Sequence, residues 1–387
     1  MHLNPARAAK AGEDADLAPF DRRLEPGSRN PLAVALSGGA DSLLALRLTL
    51  TWAREHGRAV IALIVDHGLQ PQSAEWTAFA ARAAQDLGAE ARTLAWRGPY
   101  PASGLPAAAR DARHRLLAEA ARAAGARVIV TGHTASDEAE NAVLGQGRLE
   151  EWSASPAWPE GRGIFMFRPL ISLTRGAVRQ RLAGDGATWI DDPANSDERH
   201  PRVRARLTLR TSSGAVQRQA PPPFALAALA TFDAGQINLP RAAFQEAASE
   251  ARRRVAGAAA VCTGGGSAIP RAARISRLCD VLARSEPVKA TLAGASIRAS
   301  EDQITFTRNG GDMARRGLAP LVIAAGESAI WDGRYAVRAG AAGPLILRQD
   351  GTATCPILAS GSGDEAHWLV PARFGAACGL IAREGQL

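Results

Sequence analysis

Short apolar runs alternate with helix-length segments from residue 31 to about residue 200, and this alternation constrains the fold more than any other feature. The apolar runs lie at Pro31–Leu36, Ala59–Val65, Ala91–Trp96 and Arg127–Thr131. Helical spacing is found at Asp41–His56, Ala74–Leu87, Pro106–Ala124, Ser136–Leu144 and Thr174–Ala183. Strands and helices that alternate in this way predict an α/β fold, in which helices cover both faces of a parallel sheet.

Glycine and polar residues follow three of these predicted strands directly. They are Ser37-Gly38-Gly39, Asp66-His67 and Gly132-His133. Ligands of open parallel sheets bind at the carboxyl ends of the strands. We therefore expect these three segments to meet at one binding site.

The segment Ser37–Ser42 lies between a predicted strand and a predicted helix. Its two glycines let backbone amides approach an anion, and the helix amino terminus adds partial positive charge. A carboxylate beside a phosphate is repulsive unless Mg²⁺ lies between them, so Asp41 indicates a nucleotide bound with its metal. The segment lacks the Gly-Lys-Ser/Thr of the Walker loop. A glycine turn with a serine or aspartate helix cap is the alternative.

The net charge indicates a polyanionic partner. The chain has 46 Lys and Arg against 38 Asp and Glu, a formal charge of +8, and its only lysines are Lys10 and Lys289. Arginine is permanently charged and matches phosphate geometry, which favours nucleic acid, with an anionic membrane as the second possibility. A GC-rich genome would explain the scarcity of lysine, although it would not explain the net charge.

Targeting and redox features point to the cytoplasm. The first 29 residues lack an apolar signal-peptide core, and no apolar stretch has the length of a membrane span. The four cysteines form no C-x-x-C pair and are expected to be free thiols in a reducing compartment. We predict a cytoplasmic protein with no membrane partner.

The chain is predicted to contain five successive regions. They are an amino-terminal extension (1–30), a catalytic α/β domain (31–210), a proline-rich linker (211–223), a helical region (224–290) and a small β-containing module (291–387). The prolines and glycines of Glu150–Gly163 predict an ordered loop, and Thr174 is predicted to cap a helix.

The loop Ser37–Ser42 resembles the signature of the PP-loop ATP pyrophosphatases, which have a Rossmann-like parallel sheet. Further segments resemble motifs of one family in this superfamily, the tRNA(Ile)-lysidine synthases, in the same order. These segments are Val65–Leu69, Ala109–Arg113, Gly132–Glu140, Arg168–Leu170 and Trp189–Asn195.

The resemblance implies that ATP joins free L-lysine to the wobble cytidine of an isoleucine tRNA with a CAU anticodon. The reaction would pass through an adenylated cytidine and release AMP and pyrophosphate. The implied ATP contacts are Ser37, Gly38, Gly39, Ala40, Asp41, Ser42 and His133, with Mg²⁺ on Asp41. Asp137, Glu140 and Arg113 would act in lysine binding or catalysis. The implied tRNA contacts are Arg199, Arg202, Arg204 and Arg206.

Simpler structural interpretations exist for several of these residues. Asp137 and Glu140 share a helix face because they are three residues apart, but an acidic first turn is also favoured by the helix dipole. His133 could be an ordinary hydrogen-bonded histidine, and the arginines could lie on solvated helix faces. Arg113 could face either the AMP phosphate or the tRNA.

The chain also departs from the family pattern. Ser136 replaces the first aspartate of the usual pair, and Gly145–Glu151 replaces a loop usually rich in arginine and glycine. A non-catalytic PP-loop RNA-binding protein and another PP-loop tRNA-modifying enzyme are therefore the alternatives. A tRNA thiolase is disfavoured because no cysteine precedes Cys262. The sequence leaves the oligomeric state open.

Overall fold

A computed structural model describes residues 16–145, 148–192, 201–211, 225–233, 235–349, 354–360 and 362–387. The chain divides into two compact units. The first consists of Met1–Ala220 with Ile381–Leu387, and the second of Pro221–Leu380. Each unit is described by itself.

A six-stranded sheet forms the centre of the first unit. Its strands are β1 (Leu32–Ala35), β2 (Val60–Asp66), β3 (Glu90–Ala95), β4 (Val128–Thr131), β5 (Trp152–Ala154) and β6 (Phe165–Phe167), in the spatial order β3-β2-β1-β4-β6-β5. All neighbouring strands run parallel except β5, which runs antiparallel to β6 at the edge. The predicted parallel α/β sheet is thus confirmed.

The first five of the following helices were predicted from the sequence, and the sixth was not. They are α1 (Ala40–Glu55), α2 (Ser73–Asp86), α3 (Leu105–Ala123), α4 (Ala135–Val143), α5 (Arg175–Gly184) and α6 (Pro201–Thr211). Thr174 caps α5, as predicted: its hydroxyl oxygen accepts a hydrogen bond from the Ala177 amide at 3.2 Å. Among the described residues, no helix has both the length and the apolar character needed to cross a membrane.

The central strands β1 and β4 are buried along their whole length because helices cover both faces of the sheet. One face packs Ile61, Leu117 and Ile129 into a common cluster. A helical segment at residues 16–23 also enters the core, where Phe20 packs against Trp52 and Phe167. The predicted amino-terminal extension therefore contributes part of the folded unit, because Phe20 is fully buried.

The loop predicted at Glu150–Gly163 is partly wrong, because it contains β5. The ring of Trp152 stacks on that of Phe165, with 5.2 Å between centroids, and its indole nitrogen donates to the Ile381 carbonyl. A strand of three residues is too short to display the alternation by which strands are predicted.

The second unit combines helices with three small sheets. Its helices are α7 (Ala225–Ala228), α8 (Arg241–Glu246), α9 (Ser249–Gly264), α10 (Ala272–Leu282), α11 (Gly310–Arg316) and α12 (Val370–Ala377). Its strands are β7 (Thr231–Asp233), β8 (Gln236–Pro240), β9 (Val288–Leu292), β10 (Ala295–Ala299), β11 (Gln303–Arg308), β12 (Leu321–Ile323), β13 (Ser328–Trp331), β14 (Tyr335–Arg338), β15 (Leu345–Leu347) and β16 (Glu365–Trp368).

One sheet of the second unit has the order β7-β8-β11-β10-β9 and joins strands from both sides of the boundary predicted at residues 290 and 291. The strand β9 itself crosses that boundary, and β7 and β8 lie in the region predicted to be helical. The apolar side chains of α9 and α10 pack against this sheet in one cluster, which explains why the two regions fold together. Apart from Thr211, the predicted linker at residues 211–223 lies outside the described residues. The predicted domain boundaries stay a prediction.

The last residues of the chain pack within the first unit through a buried ion pair. Arg58 donates two hydrogen bonds to the Glu384 carboxylate, at 2.7 and 2.8 Å, and the two side chains are 0% and 3% exposed. Arg58 also donates to the carbonyl of Asn30. A bidentate arginine–carboxylate pair of this kind fixes orientation as well as distance.

We expect Glu384→Ala to lower the free energy of unfolding of the first unit by about 3–5 kcal/mol, because it leaves the Arg58 charge buried and unpaired. Urea denaturation of the full chain measures this change. Glu90→Ala is the matched control: it breaks the exposed Arg92–Glu90 pair and should cost less than about 1 kcal/mol. Equal losses in the two variants would contradict the role given to the buried pair.

Candidate active site

The turn after β1 forms a compact loop that leads into α1. The Ser42 hydroxyl donates to the Gly39 carbonyl at 2.9 Å and accepts from the Ser37 amide at 3.2 Å. Gly38 has a φ of +83°, which favours glycine, and its carbonyl accepts from the Ile190 amide at 2.9 Å. The N-cap of α1 is Gly39, so neither a serine nor an aspartate side chain caps this helix. The helix terminus therefore keeps amide donors for an anion.

The loop after β4 comes into direct contact with the loop Ser37–Ser42, which we call the phosphate loop. A Cβ atom on Gly132 would lie 2.5 Å from the Asp41 carbonyl carbon and oxygen and 2.6 Å from the Ser42 nitrogen. Since β1 pairs with β2 on one side and β4 on the other, these two loops meet where the strand order reverses. Such a switch point is where open α/β sheets bind ligands.

Two acidic residues of α4 lie beside the phosphate loop. Asp137 accepts hydrogen bonds from the Thr134 amide and hydroxyl, both at 2.8 Å, so it closes a capping box at the start of α4. Glu140 is 1% exposed. Asp137 thus has a structural role at the start of α4, consistent with the alternative of an acidic first turn, whereas the burial of Glu140 requires another explanation.

Arg175, the first residue of α5, brings the acidic residues together. Its guanidinium group donates to Asp137 and Glu140 at 3.0 Å each and to Asp41 at 3.3 Å. This residue was not predicted from the sequence. The sequence does contain an indication of its role. An arginine in the first turn of a helix interacts unfavourably with the helix dipole, so a nearby carboxylate is expected to compensate its charge.

Burial and charge set the protonation of these carboxyl groups. Burial raises the pKa of Asp41, and the Arg175 charge opposes that rise. Burial alone would also raise the pKa of Asp137, but the hydrogen bonds from Thr134 and the Arg175 charge place it below its usual value. Asp41 Oδ1 and Glu140 Oε2 are buried and have no hydrogen-bond partner among the described residues.

A basic cluster lies next to the acidic residues. Burial and the Arg168 charge lower the pKa of His133 to about 3, and burial and the Arg113 charge lower that of His114 to about 3. Burial, Arg110 and Arg202 also lower the pKa of Arg113. Both histidines are therefore neutral at physiological pH. An accumulation of cations in a half-buried site is suited to binding an anion.

The structure brings most of the predicted site residues together. Arg202 donates to the Asn141 side chain at 3.3 Å, and Arg206 donates to Glu140 at 2.9 Å, which places Arg206 at the acidic residues. Arg204 is exposed on α6, and Arg199 lies outside the described residues.

No group of three or more histidine, cysteine or acidic side chains that could hold a metal is found in the described part of the chain. The departure at Ser136 has a structural role, since its hydroxyl accepts from the Arg175 amide at 3.1 Å.

Fold and site together define a PP-loop ATP-binding protein, and a family model described as a PP-loop domain matches residues 17–212. The tRNA(Ile)-lysidine synthase of Caulobacter vibrioides is 46% identical over 345 residues, which cover 88% of this chain and 79% of that protein. The tRNA(Ile)-lysidine synthase of Mesorhizobium japonicum is 33% identical over 384 residues, with 88% and 80% covered. The chain belongs to the tRNA(Ile)-lysidine synthase family. A solved tRNA thiolase from Methanococcus maripaludis is 16% identical, covers 53% of this chain and 80% of its own, and has a TM-score of 0.37.

We expect Gly132→Ala to weaken ATP binding at least about tenfold, because the added methyl group displaces the backbone of Asp41 and Ser42 from the phosphate loop. Isothermal titration calorimetry with ATP measures the loss. Gly184→Ala, at the end of α5 with open space around its Cβ, is the control and should bind ATP as the wild type does. Unchanged affinity in Gly132→Ala would contradict the placement of ATP at this loop.

Proposed function

We propose that this protein is an ATP-dependent ligase that joins free L-lysine to the wobble cytidine of an isoleucine tRNA with a CAU anticodon. The observation that carries the proposal is that Arg175 joins Asp41 of the loop Ser37–Ser42 to Asp137 and Glu140, within a chain of the tRNA(Ile)-lysidine synthase family. We call these three carboxylates the acidic cluster. This arrangement suits a reaction between a nucleotide phosphate and a cationic amino acid. A cytoplasmic location, where ATP and tRNA are both available, belongs to the same proposal.

In the first step the 2-oxygen of the cytosine attacks the α-phosphorus of ATP, and pyrophosphate leaves. Ser37, Gly38, Gly39, Ala40 and Ser42 would hold the phosphates through backbone amides and hydroxyl groups. Asp41 fits a Mg²⁺ site formed with phosphate oxygens, because its Oδ1 is buried and unpartnered among the described residues. When bound there, Mg²⁺ neutralises phosphate charge.

In the second step the lysine ε-amine attacks the ring carbon, and AMP leaves with the former cytosine oxygen. The amine must transfer its proton to a carboxylate of the site or to solvent before it can act as a nucleophile. Glu140 and Asp137 carry the negative charge that would hold the ammonium groups of lysine beside the nucleotide, and Glu140 still has an unpartnered oxygen. Binding both reactants in one site converts the attack into an intramolecular step.

The basic cluster next to these carboxylates would receive the anionic partners. His133 and Arg113 lie among several arginines, so a phosphate of AMP or of the tRNA would be stabilised there. Further tRNA contacts are proposed for Arg199, Arg202, Arg204 and Arg206, where each phosphate contact adds to affinity without reading sequence.

The cysteines argue against a thiolase. All four lie in the second unit, and three of them, Cys262, Cys279 and Cys378, are buried. Burial raises the pKa of these three thiols to about 11, 11 and 12, so they are protonated and unreactive at neutral pH. The remaining alternative, a non-catalytic RNA-binding protein, gives no reason for a buried acidic cluster beside a phosphate loop.

Mass spectrometry of nucleosides tests the proposed function. Incubation of the isoleucine tRNA with wild-type protein, ATP and lysine should yield a cytidine that is heavier by the mass of lysine less water. One AMP and one pyrophosphate should appear for each modified cytidine.

Asp41→Asn should lose at least about a hundredfold in the rate of lysidine formation, because it removes the carboxylate proposed to lie nearest the phosphates. Bound tRNA with unmodified cytidine and intact ATP would favour the non-catalytic alternative.

Salt dependence of tRNA binding tests the arginines of α6. We expect Arg204→Gln to weaken tRNA binding and to reduce the slope of log affinity against log salt by about one, the value for one lost phosphate contact. Filter binding at several salt concentrations measures the slope. Arg92→Gln, on the edge strand β3, should leave it unchanged. Identical slopes for wild type and Arg204→Gln would remove Arg204 from the tRNA interface.

A further inference from the structure

Arg175 contacts one oxygen of each carboxylate in the acidic cluster. Its guanidinium nitrogens donate to Asp41 Oδ2, Asp137 Oδ1 and Glu140 Oε1. Asp137 uses its second oxygen for the capping box with Thr134. The second oxygens of the other two residues, Asp41 Oδ1 and Glu140 Oε2, are buried and have no partner among the described residues.

These two oxygens define where a further cation would bind. A buried carboxylate oxygen without a donor is costly, so such an atom indicates a partner that is supplied during function. Among the described residues, the three carboxylates are contacted by two guanidinium groups, those of Arg175 and Arg206, so the carboxylates outnumber these guanidinium groups by one. An ammonium group that donates to Glu140 Oε2 would balance the excess carboxylate.

Two hydrogen bonds fix the backbone at Arg175 against the start of α4. The Arg175 amide donates to the Ser136 hydroxyl at 3.1 Å, and the Ala135 amide donates to the Leu173 carbonyl at 2.8 Å. These bonds tie the first turn of α4 to the first turn of α5. The fork of an arginine can contact several carboxylates in a fixed geometry, which a lysine ammonium cannot do.

We propose that Arg175 is a positioning residue for the amino-acid substrate. It binds one carboxylate oxygen of Asp137 and one of Glu140, so that the other oxygen of Glu140, Oε2, faces an ammonium group of the lysine. This inference rests on the proposed function and deepens it. Asp137 then supports the site by fixing Arg175 and the helix start, while Glu140 makes the direct contact. The weaker contact to Asp41 links the same guanidinium to the phosphate loop.

Steady-state kinetics of Arg175→Gln test the inference. We expect the KM for lysine to rise roughly tenfold to a hundredfold, because the carboxylates that hold the substrate lose the hydrogen bonds that fix their orientation. The KM for ATP should change less than threefold, since Arg175 contacts the ATP side only through Asp41. Arg181→Gln, farther along α5 and paired with Asp16, is the matched control and should keep both constants.

Arg175→Lys is the second variant. It keeps the positive charge but loses the planar guanidinium group with its several N–H donors. Its KM for lysine should lie between those of wild type and Arg175→Gln. If Arg175→Gln fails to fold, as judged by its thermal melting curve, Arg175→Lys decides the question: a KM raised at least threefold supports the positioning role. A wild-type KM for lysine in Arg175→Lys, or in folded Arg175→Gln, overturns it.

Equilibrium dialysis with radiolabelled lysine separates this inference from the proposed function. Wild-type protein that binds lysine but forms no lysidine would refute the proposed function, while weaker binding by Arg175→Gln would still support the positioning role. Addition of guanidinium ion at low millimolar concentration to Arg175→Ala should restore part of the lysine affinity. Guanidinium ion that restores the thermal stability of Arg175→Ala but not its lysine affinity would indicate a merely structural arginine and would overturn the inference.

Discussion

The contact between the backbone of Gly132 and the first turn of α1 is the constraint on which the rest of the site depends. It brings the end of β4 within touching distance of Asp41 and Ser42, so no side chain fits between them. The strand order places β4 next to β1 at the point where the chain changes direction across the sheet. The phosphate loop and α4 therefore share one edge of the sheet, and a nucleotide and a second substrate can meet there.

The charges at this edge are separated rather than mixed. Asp41, Asp137 and Glu140 form an acidic group around Arg175, whereas Arg113, Arg168 and Arg202 form a basic group around the neutral His133. A low local dielectric strengthens both fields, so each half favours ligands of the opposite sign. Under the proposed function, an amino acid with a cationic side chain would bind at the acidic group, and the polyanionic tRNA would bind at the basic group.

Much of the first unit could be predicted from the sequence because its signals are local. The strands β1, β2 and β4 are nearly continuous apolar runs, and the loop at Ser37–Ser42 has a recognisable composition. The strands β5 and β6 were not predicted, because a strand of three residues is too short to show the alternation of apolar and polar residues. Arg175 and the Arg58–Glu384 pair were missed because their partners are distant in the chain: Asp41 lies 134 residues from Arg175, and Glu384 lies 326 residues from Arg58. The separate regions expected at 224–290 and 291–387 share one sheet, because strand pairing crosses the composition change at residue 290.

The fate of the cytosine oxygen tests the central claim, that this site activates cytidine by adenylation before lysine attacks. Isoleucine tRNA carrying ¹⁸O at the 2-position of its wobble cytidine is incubated with ATP, lysine and the wild-type protein, and the products are weighed by mass spectrometry. The account predicts that AMP carries the label in its phosphate and that pyrophosphate carries none. Lysidine formed with unlabelled AMP, or label in pyrophosphate, would contradict it.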